Sequence, residues 1–122
     1  MSCLFKSIGS CIKSNPEKVR FEICNYLESN KPIIGDIDTK EILETDRENY
    51  VDSMRNSNTW GGGIEIAAAA NLYKIRICIH LLNKKKNKRK QKQIITFVPI
   101  DENYNETINL LYTGNHYQPC KY

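Results

Sequence analysis

The chain has 122 residues, 40% hydrophobic and 26% charged, with a formal net charge of +4, enough for one core and too little for two. No apolar stretch approaches the roughly 18 residues of a membrane span, and the start Met1-Ser2-Cys3-Leu4-Phe5-Lys6 has no basic region ahead of an apolar core, so neither a spanning nor a secretory segment is expected. Five cysteines without any Cys-x-x-Cys spacing speak against a disulfide framework or a zinc site and for reduced thiols in a cytoplasmic setting, with no metal or cofactor implied.

Ser2 is placed to cap a first helix from Cys3 to about Ile12, in which Leu4, Phe5, Ile8 and Ile12 form an apolar stripe. Asn15-Pro16-Glu17 reads as a second helix start: a cap, a proline at the first helical position, then an acid. Val19, Ile23, Tyr26 and Leu27 keep helical spacing until Asn30-Lys31-Pro32 ends the run, and 33–38 reads as loop. Residues 36–52 hold seven acids against Lys40 and Arg47, a local charge of −5. One or two helices are expected there, with Ile42, Leu43, Tyr50, Val51 and Met54 turned inward.

Gly61-Gly62-Gly63 punctuates the chain before an alanine-rich helix from Ile64 to Leu72, whose Ala67 to Ala70 would let it approach a sheet closely. Arg76 to Leu82 and Ile94 to Val98 read as strands by their β-branched content. Between them, residues 84–92 carry seven Lys or Arg and no acid, a local +7, expected as a solvated hairpin loop with weak affinity for polyanions. Thr107 to Tyr112 is a third strand, turning at Thr113-Gly114-Asn115 into His116. Helices come first and strands cluster late, which predicts a single α+β domain over 1–122, its small, mostly antiparallel sheet packed against helices. A monomer is expected.

A cysteine at a helix N-terminus faces unpaired backbone N–H groups and the positive end of the helix dipole, both of which favour a thiolate. An imidazole brought beside it supplies a base and then an acid for the leaving group. Cys3 alone among the cysteines combines a helix start with an anchoring apolar stripe; Cys11 and Cys24 lie in helical stripes, Cys78 in a strand, and Cys120 near the end. Of the two histidines, His80 alternates with Cys78 on a strand without a second pair to complete a metal site. His116 follows a glycine turn at a strand end, where its ring can reach a cleft.

Three segments taken in order, Cys3-Leu4-Phe5, then Trp60-Gly61-Gly62 with Glu65 and Asn71-Leu72-Tyr73, then Asn115-His116-Tyr117, resemble the ovarian-tumour-domain (OTU) cysteine proteases, which remove ubiquitin from proteins. The resemblance spans nearly the whole chain. It implies Cys3 as nucleophile, His116 as general base, a site shaped by Trp60, Gly61 and Gly62, and a structural Glu65. The family's Asp-Gly-Asn before the cysteine is replaced by Met1-Ser2, which implies a chain truncated just before the nucleophile or an impaired oxyanion hole, since a lost oxyanion donor costs on the order of 100-fold in rate. Where the family often has Asp or Asn two residues after the histidine, this chain has Gln118, an amide that can still orient an imidazole.

The activity implied is hydrolysis of the isopeptide bond at the C-terminus of ubiquitin or a ubiquitin-like modifier, through a thioester on Cys3. The acidic segment from Asp36 to Asp52 is the expected docking surface for the modifier. Two alternatives stand beside it: an impaired OTU fold that binds ubiquitin without cleaving it, and a nucleic-acid-binding module using Lys84 to Lys92. That run has no interleaved aromatic for base stacking, so little sequence preference would follow.

Overall fold

The computed structural model describes residues 2–82 and 92–120. Helix α1 spans Cys3–Ile12 and α2 spans Pro16–Glu28. The short helices α3 (Thr39–Asp46) and α4 (Tyr50–Met54) follow, then α5 (Gly63–Tyr73). Strands β1 (Ile75–Leu82), β2 (Lys92–Phe97), β3 (Glu106–Tyr112) and β4 (Tyr117–Pro119) complete the α+β order.

Local chemistry accounts for most of these boundaries. The α1 stripe buries Leu4, Phe5 and Ile8 almost completely. The Asn15 side chain accepts the Lys18 N–H at 2.8 Å, with Pro16 behind it at the first helical position. Ser2 departs from expectation: its side chain makes no capping bond to α1. Its hydroxyl instead lies 3.3 Å from an Arg20 nitrogen and 3.5 Å from the Ser57 carbonyl, so tertiary partners have drawn it away from the helix end. In the acidic segment Leu43, Tyr50 and Met54 are buried while Ile42 and Val51 are half-buried; Glu41, Glu44, Glu48 and Asp52 face solvent.

The sheet runs β2-β1-β3-β4. The β1–β2 and β3–β4 pairs are antiparallel, and the central β1–β3 pair is parallel, matching Ile77 with Ile108 and Ile79 with Leu110. Those side chains share one face of the sheet, since alternate residues point the same way, and they join the core cluster. Helix α1 packs against β3 and β4 while α5 packs against β1 and β2, and α2 touches both helices. The four alanines Ala67 to Ala70 are buried, which gives α5 its close approach. The connection between β1 and β2, with the polyanion site expected at Lys84 to Lys92, lies outside the described residues except where Lys92 opens β2. No helix among the described residues is long and apolar enough to cross a membrane.

Candidate active site

Cys3 is the first residue of α1 and is half-buried. With no side-chain cap from Ser2, the first-turn N–H groups of α1 keep their ordinary capacity to meet an anion. Leu4 and Phe5, buried to 1% and 0% exposure, fix this first turn in the core.

The second segment lies directly on that turn. A β-carbon added to Gly61 would stand 2.9 Å from a Leu4 methyl and 3.0 Å from the Phe5 ring, so any side chain here would force Leu4 or Phe5 to shift. Gly62 and Gly63 have nothing within 4 Å of such an atom; the chain there borders open space. Trp60 is half exposed, at 50%. Two buried polar groups set the course of this segment. The Glu65 carboxylate accepts the Gly62 N–H at 2.7 Å and the Tyr50 hydroxyl at 2.6 Å. Burial pushes the Glu65 carboxyl above its usual range, and the two hydrogen bonds oppose that rise in part. The Tyr50 phenol is pushed up as well, by burial first and then by Glu65.

The third segment is the β3–β4 turn. Gly114 takes φ +103, a conformation that favours glycine. The Thr113 N–H donates to the His116 carbonyl at 3.0 Å, and the Tyr112 hydroxyl donates to the Gly114 carbonyl at 2.7 Å. This fixes the backbone of His116, whose side chain is exposed. Tyr117 is half-buried and stacks on Tyr112 with ring centroids 4.6 Å apart. Burial raises its phenol, and Tyr112 and then Cys3 add to the shift, which places Cys3 within electrostatic reach of the residue next to His116. β4 as a whole packs along α1.

The fold thus sets the Gly61 backbone against the first turn of α1 and packs β4 along the same helix. Among the described residues no hydrogen bond joins Cys3 to His116 or His116 to Gln118; Gln118 is exposed and pairs with Leu111 of β3. His80 bonds the Asn109 side chain at 2.9 Å. Burial raises the Cys24 thiol to about 11, and it raises Cys11 too, so neither is poised as a nucleophile. Among the described residues no group of three or more His, Cys, Asp or Glu side chains could hold a metal ion. Sequence reasoning missed Arg20 and Tyr50 as parts of this region. Arg20 did leave a signal: it stands within the buried stripe of Val19, Ile23, Cys24 and Leu27, where a charged side chain needs partners.

Residues 2–119 match the family described as OTU-like cysteine protease. The chain belongs to that family. The OTU match covers all three segments of the site. Among its relatives, ubiquitin thioesterase OTU1 of Rattus norvegicus is 29% identical over 126 aligned positions, covering 98% of this chain and 33% of that protein. The protein of the same name from Dictyostelium discoideum is 23% identical, covering 95% of this chain and 33% of its own length. The chain therefore spans about a third of these relatives. Two solved structures share the OTU fold over 97% of this chain. An OTU domain in complex with ubiquitin superposes with a TM-score of 0.74 at 20% identity and 62% of its own length. An OTU deubiquitinase from Wolbachia pipientis wMel bound to ubiquitin gives 0.71 at 15% identity and 88%.

Proposed function

We propose that this OTU domain is a cysteine-dependent deubiquitinase. The observation that carries the reading is the meeting of the Cys3 helix start, the Gly61 backbone and the strand that follows His116, in a chain of a cysteine-protease family. Cys3 is the nucleophile: its thiolate attacks the isopeptide carbonyl, His116 gives a proton to the leaving lysine amine, and a thioester remains on Sγ. His116 then draws a proton from water, which attacks the thioester and frees the modifier's carboxylate. Gln118 is the amide available to orient the imidazole. The helix N-terminus supplies backbone N–H donors to the oxyanion.

Open space beside Gly62 and Gly63 favours a narrow, glycine-ended tail, with half-exposed Trp60 at its side. A groove of about 660 Å³ continues from Gly63 and Ile64 to Ile33, Ile34, Phe97 and Ile100, an apolar surface suited to the body of a folded modifier. It adjoins the acidic segment that begins at Asp36, so apolar and acidic surfaces would share the docking. Two of the neighbouring structures hold ubiquitin, which favours ubiquitin as that modifier here.

The test is cleavage of isopeptide-linked di-ubiquitin, followed on gels with wild type and Cys3→Ala. The wild type should release mono-ubiquitin and Cys3→Ala should not. A folded wild type that binds ubiquitin without cutting any linkage would put the binding-only reading in its place.

A further inference from the structure

Arg20 is 5% exposed, and it reaches three places at once. One terminal nitrogen, Nη1, donates to the Met54 carbonyl at 2.7 Å and lies 3.8 Å from the Met54 sulfur. The other, Nη2, donates to the Thr59 carbonyl at 3.0 Å, the Ser57 carbonyl at 3.4 Å and the Ser2 hydroxyl at 3.3 Å. The guanidinium carbon lies 4.2 Å from the centre of the Phe5 ring. Thr59 immediately precedes Trp60, and Ser2 immediately precedes Cys3. One nitrogen therefore ties the residue before the candidate nucleophile to the residue before the tryptophan of the glycine segment.

The partners make this unusual as a device for stability. Among the described residues every hydrogen-bond acceptor of Arg20 is neutral, and no salt bridge includes it. Burial opposes its charge, while Cys24 and Glu65 favour it only through space. A buried cation without a directly paired counter-charge is a poor route to stability, and an apolar side chain of similar volume often does as well or better. What such an apolar replacement lacks is the means to hold three carbonyls and a hydroxyl in fixed relation. A guanidinium offers five N–H donors in a rigid plane with a flat face free to stack; an ammonium offers a point charge and no stacking face.

We infer that Arg20 is a positioning residue for the Cys3 site, holding the Trp60-Gly61 segment in register with the start of the nucleophile's helix. It touches neither substrate nor reacting atoms. Its effect passes through Thr59 to the tail-binding edge and through Ser2 and Phe5 to α1. The inference rests on the reading of Cys3 as the reaction centre.

The experiment compares wild type, Arg20→Lys, Arg20→Gln and Val19→Ala. Val19 is fully buried on the same helix, so its truncation gives a stability loss at a core position for comparison. Two signals are followed below the unfolding range: acrylamide quenching of Trp60, the chain's single tryptophan, and kcat and KM on a ubiquitin C-terminal substrate. Both Arg20 variants should show a more accessible Trp60 and a fall of at least about tenfold in kcat, because small displacements of aligned groups are costly in rate. Val19→Ala should show neither change. Arg20 variants indistinguishable from Val19→Ala would overturn the inference, as would a loosened Trp60 with undiminished turnover. A wild type inert toward ubiquitin removes the deubiquitinase reading instead; the quenching comparison then decides alone whether Arg20 holds the segment.

Discussion

Gly61→Ala is the substitution whose outcome the packing around Cys3 sets most sharply. The added carbon would meet a Leu4 methyl at 2.9 Å and two Phe5 ring atoms at 3.0 and 3.1 Å, well inside the 3.5–4.0 Å of a relaxed carbon contact. Leu4 can turn, but Phe5 cannot retreat: it is fully buried and Arg20 lies against its face at 4.2 Å. Overpacking of this kind costs about 1–3 kcal/mol, and at this chain length each kcal/mol lowers Tm by roughly 3–6 °C. Thermal unfolding by far-UV circular dichroism should show Gly61→Ala at least about 3 °C below wild type. Gly62→Ala is the matched control, since nothing lies within 4 Å of its added carbon; it loses only the preference of the α5 N-cap for glycine over alanine and should fall less than Gly61→Ala. It should nonetheless slow ubiquitin hydrolysis, because that open space is assigned to the tail. Wild-type stability in Gly61→Ala beside a fall in Gly62→Ala would show that Leu4 and Phe5 do not crowd this position.

Glu65→Gln tests the buried carboxylate through pH. Burial raises its native pKa above the unfolded value of about 4.5, so the native state binds more protons and its stability declines as pH rises from there through the native pKa. The stability of wild type relative to Glu65→Gln should therefore be greatest below pH about 4.5 and shrink toward neutrality; urea unfolding at pH 4 and 7.5 checks the sign, and a difference that grows with pH contradicts it. Asn15→Ala removes the cap on α2 and should cost about 1 kcal/mol, whereas Ser2→Ala, with no capping bond to lose, should cost less in the same titration. Charge reversal at Glu41, Glu44 and Glu48 together should weaken ubiquitin binding measured by calorimetry; unchanged affinity would take the acidic segment out of the docking surface.

What the sequence made legible was local. Asn15-Pro16 announces α2 because cap and proline act within one turn, and the Leu4, Phe5, Ile8 stripe announces α1 because burial repeats with the helical period. The strands β1, β2 and β3 showed in their β-branched runs. β4 did not: three residues ending in proline carry too little pattern, and only pairing with β3 and packing on α1 make them a strand. The parallel β1–β3 pairing was equally hidden, since register between distant segments leaves no local trace. Ser2 misled for a tertiary reason, its hydroxyl being taken by Arg20 and Ser57 rather than by α1. At the site, the three motifs were readable in order, while the groups that set their spacing, Arg20 and Tyr50, were not; their partners stand 15 to 39 residues away.

Whether Cys3 attacks a ubiquitin C-terminus with His116 as its partner is decided by a ubiquitin probe bearing a thiol-reactive group at that C-terminus. Wild type, Cys3→Ala and His116→Ala are incubated with it and weighed by intact mass spectrometry. One adduct of ubiquitin mass is expected on wild type, none on Cys3→Ala, and much slower labelling of His116→Ala. A folded wild type that gains no adduct, or an adduct that persists in Cys3→Ala, would exclude Cys3 as the nucleophile toward ubiquitin.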